Sequence, residues 1–365
     1  MEKNLLFAAL AVVAMASCTK NELKVPATGT DAVISFQPVV ANATKATYLT
    51  TANMKDQCNE FGVFAWYGEP DLATSGSAAT AYMDNVKVTY SASIDEGASK
   101  GVGAWAPDSP YYWPKNGTLS FDAYAPASAH ASTPGAGTGT VTSTAANGLK
   151  IENYTVAALA NQYDLLYSTR TKEKVTSTGG SNDTYDGVDI AFHHALSAIE
   201  VTAKTDKDYS GAIKLKTITI LNAYSKGTFN QNMTNATTEG TAKWSDHGTE
   251  ESYVLFSGDQ ALSTTALTSS TTPAISNAIL LPQSFTHSPN KVSIKVDYSI
   301  KHGSSYLPQT QTFDLSATTV SSVAQTGWEI GKRYTYNFIF SLDEVYFAPE
   351  VAEWTDVTVK DIDVK

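Results

Sequence analysis

Adjacent histidines, His193 and His194, are the chain's one paired imidazole motif. Imidazoles bind metals or move protons, but the residues around them read as a strand, where neighbours face opposite ways. The pair therefore predicts one ring packed inward and hydrogen-bonded, with the other outside, rather than a shared metal. Asp361 and Asp363, with Asp356 and Glu353 nearby, offer the oxygen ligands that calcium takes, and the same run reads as the solvated edge of a strand. Trp105, Tyr111, Tyr112 and Trp113 have faces that could stack on a sugar, and sandwich cores are built from the same residues. Cys58 has no histidine near it and precedes an apolar strand pattern, so it reads as a small buried hydrophobe. Gly135-Ala136-Gly137-Thr138-Gly139 lacks the lysine and following helix of a phosphate loop, and no H-E-x-x-H or C-x-x-C occurs. No carboxylate pair stands out for glycoside hydrolysis. The sequence thus assigns no catalytic residue, no metal ligand set and no cofactor.

Cys18 is the other thiol, and its position gives it different chemistry. Leu5 to Ala16 is an unbroken small and apolar run. It is too short to span a bilayer, which takes about 20 residues, but it fits the hydrophobic region of a secretory signal. The run ends Met15-Ala16-Ser17-Cys18, small residues before a cysteine as in the lipobox of bacterial lipoproteins, where the thiol is diacylated and the chain is cut in front of it. A leader over residues 1–17 and a lipid on Cys18 are the expectation, tethering the protein to a membrane. Acyl chains contribute about 0.8 kcal/mol per buried CH₂, and stable anchoring takes more than one. With Cys18 acylated, Cys58 has no partner for an internal disulfide. The net charge is −11, and Arg170 and Arg333 are the only arginines. Without a basic stripe, nucleic acid is not an expected partner.

These groups must be positioned by strands. In Lys291 to Lys301, Val292, Ile294, Val296, Tyr298 and Ile300 alternate with Ser293, Lys295, Asp297 and Ser299, the period of two that leaves one face buried and one wet. The same alternation runs through Ile199-Val201-Ala203, Tyr334-Tyr336-Phe338-Phe340 and Val86-Val88-Tyr90. Phe61 to Tyr67 and Leu119 to Tyr124 read as strands buried on both faces, and no long stretch has a helical period. Long polar loops are predicted at Ser128 to Asn147, Glu173 to Gly187 and Leu262 to Ser276. The chain exceeds what one core usually serves. Dividing it in the second of these loops gives an N-terminal domain over 46–187 and a C-terminal domain over 188–365. The expected class is all-β, two tandem antiparallel β-sandwiches.

The chain resembles the Bacteroidetes-type fimbrillin family, in the broad sense that includes stalk, anchor and tip subunits. The similar stretches are Phe61-Gly62-Val63-Phe64-Ala65-Trp66, Tyr112-Trp113-Pro114 and Leu119-Ser120-Phe121-Asp122-Ala123-Tyr124-Ala125-Pro126. They continue with Phe192-His193-His194-Ala195-Leu196-Ser197-Ala198-Ile199, Ile279-Leu280-Leu281-Pro282-Gln283 and Trp328-Glu329-Ile330-Gly331-Lys332-Arg333-Tyr334-Thr335-Tyr336, closing with Trp354. In order, they cover nearly the whole mature chain. The resemblance implies transthyretin-like sandwiches, delivery as a lipoprotein to the outer membrane surface, and polymerisation into fimbriae by strand exchange after proteolysis. It implies adhesion, with other copies or related fimbrial subunits as partners and a host or bacterial surface as ligand, and no enzyme.

A sandwich lacking one strand exposes backbone groups and an apolar groove, which a strand from a neighbour can cover. Such head-to-tail contacts build filaments. Asp31 to Val40 is the expected removable strand, with Ile34 and Phe36 on one face, inside a lipidated segment over 18–45. The small residues around Lys45 and Ala46 suit a protease. The family's cut follows an arginine and none precedes Arg170 here, so Lys45 takes that place. Val357, Val359, Ile362 and Val364 form the expected donor, interrupted by Asp361; the segment also reads as the last strand of the second domain. The alternative function is a monomeric lipid-anchored carbohydrate-binding protein using the aromatic cluster.

Overall fold

Alternation becomes strand at every segment where it is strong. The structure, a computed structural model, describes residues 34–40, 49–51, 53–68, 79–91, 105–114, 117–127, 138–175, 187–235, 238–239, 241–320, 322–342 and 345–354. Among the described residues helix is confined to Met54–Gln57, to 3₁₀ turns at Leu159–Asn161 and Leu315–Ala317 and to Ala127, and no helix is long and apolar enough to cross a membrane. The chain is all-β, as its sequence pattern predicts.

The first sheet has eight strands in the order Glu60–Gly68, Thr80–Tyr90, Trp105–Pro107, Phe36–Val40, Val188–His194, Leu166–Ser168, Gly117–Ala125 and Thr171–Val175. Glu60–Gly68 also pairs with Gly117–Ala125. The sheet therefore closes on itself as a ring of seven strands, with Thr171–Val175 attached outside the closure. Closure removes the free edges that an open sheet must otherwise protect. The four-stranded second sheet runs Ala278–Leu280, Ser197–Thr205, Lys332–Phe340 and Val345–Glu353. The six-stranded third is organised by the long strand Ile213–Asn230. Its first half pairs with Ser293–His302, its second half with Gly148–Thr155, and Lys243–Ala261 runs along both. Ser305–Asp314 and Thr138–Thr144 complete the two ends.

Two hydrophobic clusters follow. The ring encloses Phe36, Phe61, Phe121, Phe192 and Trp105 among others, and the larger cluster lies between the remaining sheets. The ring strands Glu60–Gly68 and Gly117–Ala125 serve both. Val63, Leu119 and Phe121 belong to the ring cluster, whereas Phe64 and Tyr124 belong to the larger one. Such strands need apolar residues on both faces, and Gly117–Ala125 is buried at every position. The glycine of Phe61-Gly62-Val63 has a steric reason. Gly62 stands opposite Tyr124, and a Cβ there would lie 2.3 Å from the tyrosine ring.

Two expectations need correction. The predicted loop Ser128 to Asn147 contains a strand, Thr138–Thr144, hairpinned to Gly148–Thr155. Thr138-Gly139-Thr140-Val141-Thr142-Ser143-Thr144 offers one large apolar residue, so its composition reads as loop; ladder pairing and β-branched threonines make it a strand. The sandwiches are also not antiparallel throughout. Phe36–Val40 runs parallel to Val188–His194, and Ser197–Thr205 parallel to Lys332–Phe340. Alternation reports which face is buried but not strand direction. Pairing also crosses residue 187 both ways. Val188–His194 belongs to the ring, while the hairpin of Thr138–Thr144 and Gly148–Thr155 joins the third sheet.

A buried ion pair fastens that hairpin to the ring. Arg170 donates from Nε to Asp122 Oδ1 at 2.8 Å and from Nη2 to Asp122 Oδ2 at 2.5 Å, with side-chain exposures of 1% and 0%. The same guanidinium donates to the carbonyls of Ala145 and Thr144, and Ser143 Oγ donates to Asp122. Removing one partner of such a pair leaves an uncompensated charge. Asp122→Ala is expected to cost about 3–5 kcal/mol, read as a lower urea midpoint; an unchanged midpoint would contradict the fastening role.

Candidate functional site

The strand Phe36–Val40 closes the ring, and its neighbours define the site. It lies parallel to Val188–His194 over five residue pairs, from Phe36 opposite Val188 to Val40 opposite Phe192. On its other side Phe36 pairs with Trp105. Ile34 and Phe36 are fully buried and Val40 is 2% exposed, whereas Gln37 and Val39 face outward. The Phe36 ring stands edge-on to Phe61 and Phe121, with centroids 5.9 and 5.6 Å away. Each fully buried side chain of this kind contributes about 1.5–3 kcal/mol.

Backbone bonds alternate with the same period. Ser35 C=O accepts from Val188 N–H at 2.8 Å, on the side of the parallel partner. Ile34 N–H turns the other way, to Tyr111 C=O at 2.7 Å, and Val40 N–H reaches Thr51 Oγ1 at 2.8 Å, which donates back to Val40 C=O at 3.0 Å. Pro38 falls between these two on the same side, beyond the single pairing with Trp105, where its missing N–H costs no ladder bond. At the start of the slot, Gly187 has φ +125°, and a Cβ there would stand 2.7–2.9 Å from the backbone of Phe36. Of the expected strand Asp31 to Val40, residues 34–40 are described and Phe36–Val40 is strand.

The linker that follows the strand comprises residues 41–48. Lys45 and Ala46 lie in it, outside the described residues, as do Cys18 and the tail residues Val357, Val359, Ile362 and Val364. Asp356, Asp361 and Asp363 lie outside them too. Among the described residues no three His, Cys, Asp or Glu side chains cluster as a metal site. The described chain resumes at Leu49, whose N–H donates to Asp164 Oδ2 at 3.2 Å. That oxygen also lies 2.8 Å from His194 Nδ1, and the His194 ring stacks on Trp354 at 4.1 Å and 10°. His193 faces outward against Tyr167. The histidine pair is thus divided between faces, as strand geometry requires. Leu49, the first described residue after 41–48, and Trp354, the last described residue, meet around Asp164 and His194.

The aromatic cluster does not form a sugar platform. Trp105 and Trp113 are 8% and 5% exposed and belong to the ring core, Tyr111 packs on it, and Tyr112 alone of the four is exposed. Cys58 is buried in the same core, and its Sγ donates to Glu60 C=O at 3.0 Å. Burial pushes the thiol up to about 12 from 9.0. Both arginines are buried as well, Arg170 against Asp122 and Arg333 at 7% exposure, so in the folded chain neither is presented to an arginine-directed protease.

The sequence profile of a family described as fimbrillin-like matches residues 44–354. The chain belongs to the fimbrillin-like family. The matched span begins after the ring-closing strand and ends at Trp354. Among solved structures, this fimbrillin-like chain is similar to a fimbrial protein from Bacteroides vulgatus at 16% identity and a TM-score of 0.55. The match covers 88% of this chain and 100% of that one. It is also similar to the tip fimbrial protein from Porphyromonas gingivalis with C-terminal truncation, at 8% identity and a TM-score of 0.40, covering 87% and 99%. Comparison with curated proteins finds no match.

Sequence reading found Ile34 and Phe36 but missed the slot walls. Trp105 reads as a core aromatic or a sugar platform without a place in the slot, and Gly187 as a loop end. The available signal was Gly187 leading directly into the alternating Val188, Ile190 and Phe192. Gly187→Ala is expected to unseat the first strand, since positive φ alone costs about 1–3 kcal/mol. Faster hydrogen exchange confined to Phe36–Val40 and its neighbours would show this, and unchanged protection would refute it. Cys58 remains protonated at any pH well below about 12. Alkylation of the native protein at pH 8–9, where an unfolded thiol near 8.5 reacts readily, is therefore expected to be slow and to follow unfolding in urea. Rapid native labelling would contradict the burial.

Proposed function

We propose that this fimbrillin-like chain is a surface fimbrial subunit that serves adhesion and assembles by donor-strand exchange. Its role is mechanical rather than catalytic. The observation that carries the reading is the first strand. Phe36–Val40 closes a ring of strands, buries its inward side chains Phe36, Pro38 and Val40, and is followed in the chain by residues 41–48. Cutting that linker would leave the strand held by noncovalent contacts alone. Its loss would open backbone groups of Val188–His194 and Trp105–Pro107 together with the apolar pocket of Phe61 and Phe121. A strand from a neighbour restores both kinds of contact. Each association is heterologous, so the contacts extend into a filament.

The remaining parts come from the sequence. Export as a lipoprotein through Cys18 delivers the subunit to the outer membrane, its linker is cut between Lys45 and Ala46, and Val357, Val359, Ile362 and Val364 supply a strand to a related subunit. The burial of both arginines supports a lysine-directed cut. The two hydrophobic clusters are read as two tandem transthyretin-like sandwiches sharing a wall, with 46–187 and 188–365 as their approximate halves.

Lys45→Gln is expected to preserve the melting temperature and abolish denaturant-resistant ladders on gels of surface protein. Normal ladders from this variant would remove processing at Lys45 as the trigger. Cys18→Ala is expected to leave the protein unlipidated, as mass spectrometry of membrane fractions would report; an unmodified Cys18 in mature wild-type protein would overturn the anchor.

A further inference from the structure

The slot and the tail are not complementary. Four consecutive inward positions of the first strand carry Ile34, Phe36, Pro38 and Val40, all buried. A strand that replaces it must place side chains at the same period of two. The tail reads Thr355-Asp356-Val357-Thr358-Val359-Lys360-Asp361-Ile362-Asp363-Val364-Lys365. In one alternating frame its inward residues would be Thr355, Val357, Val359 and Asp361, or Val357, Val359, Asp361 and Asp363, or Val359, Asp361, Asp363 and Lys365. In the other they would be Asp356, Thr358, Lys360 and Ile362, or Thr358, Lys360, Ile362 and Val364. Every choice buries an aspartate or a lysine, and none supplies an aromatic ring for the pocket between Phe61 and Phe121. An unpaired charge in an apolar slot is strongly unfavourable, and a valine in a phenylalanine site leaves a void.

Geometry gives the mismatch a purpose. The tail starts at Trp354, which stacks on His194, and His194 ends the strand Val188–His194 that forms the slot's parallel wall. A segment tethered this close to a site experiences an effective concentration in the millimolar range. A matching tail would therefore fill its own slot as soon as the first strand left, and the subunit would close on itself. Charges at Lys360, Asp361 and Asp363 act against that outcome, as repulsive elements do wherever a wrong partner must be excluded.

We propose that the slot is reserved for a strand from a different protein chain, one with a large aliphatic, an aromatic, a small apolar or proline, and a β-branched residue at four alternate positions, and that this chain's own tail is barred from it. The proposal rests on the strand-exchange reading above and goes beyond it by specifying the partner. Assembly is then heterotypic at this slot, since the same mismatch blocks both self-closure and donation between copies.

The test uses the full chain given a specific protease site between residues 40 and 49 and cut there, so the resident strand is held only by its contacts. Circular dichroism confirms the fold of the nicked protein, and fluorescence anisotropy follows exchange with labelled peptides. A peptide of residues 34–40 is expected to bind, and a peptide of residues 355–365 to bind at least about 100-fold more weakly. The tail peptide carrying Val357→Phe and Asp361→Val, which restores the aromatic and removes the charge in one frame, is expected to regain at least about 10-fold. Equal binding by the unmodified tail would overturn the inference while leaving strand exchange intact. If the peptide of residues 34–40 itself fails to exchange, strand exchange falls, and this inference with it.

Discussion

A closed ring of strands has no free edge, and here closure depends on five residues near the chain's start. Phe36–Val40 is not a peripheral strand that improves an existing sheet. It lies between Trp105–Pro107 and Val188–His194, so its absence would create two edges and empty the centre of a core. The aromatic packing of Phe36 on Phe61 and Phe121 is therefore coupled to the hydrogen bonding of the ring.

The rest of the structure keeps such a ring in shape. Glu60–Gly68 and Gly117–Ala125 belong both to the ring and to the wall of the second core, so opening the slot would leave that wall supported by the larger cluster. Arg170 and Asp122 bind the Thr138–Thr144 hairpin to the ring with a fully buried, bidentate pair. A buried ion pair is weak evidence of stability by itself, because desolvation offsets its attraction. Its directional bonds to Ala145, Thr144 and Ser143 do fix how the hairpin meets the ring. Asp164, accepting from Leu49 and facing His194, does the same for Leu49 and for the His194 ring that stacks on Trp354.

Several chemical candidates became structural for one reason. A ring of strands needs large side chains inside it, and aromatic residues bury the most area per residue. Trp105 and Trp113 meet that demand, and Cys58 fills a gap in the same core with its thiol held protonated. Their residue types suit sugar stacking or nucleophilic chemistry only when they are exposed, and exposure is a tertiary property. His194 is the counterexample that sequence could anticipate. Its neighbour had to face the other way, so one ring of the pair had to be inside.

Local pattern determined a great deal. The period of two in Lys291 to Lys301 and Tyr334 to Phe340, the two-sided burial of Leu119 to Tyr124, the lack of helical period and the family resemblance all followed from residue order, because burial on a strand is a nearest-neighbour property along the chain. The tertiary structure decided what lies beside what. The parallel pairing of Phe36–Val40 with Val188–His194 joins segments separated by most of the ring, and Thr138–Thr144 became a strand through its partner's ladder. Strand partners are chosen by closure of the whole sheet and by which apolar faces meet, and neither is encoded in any one segment. Sequence could therefore name Phe36 as an inward-facing residue of the first strand, but only the fold could show the pocket that holds it.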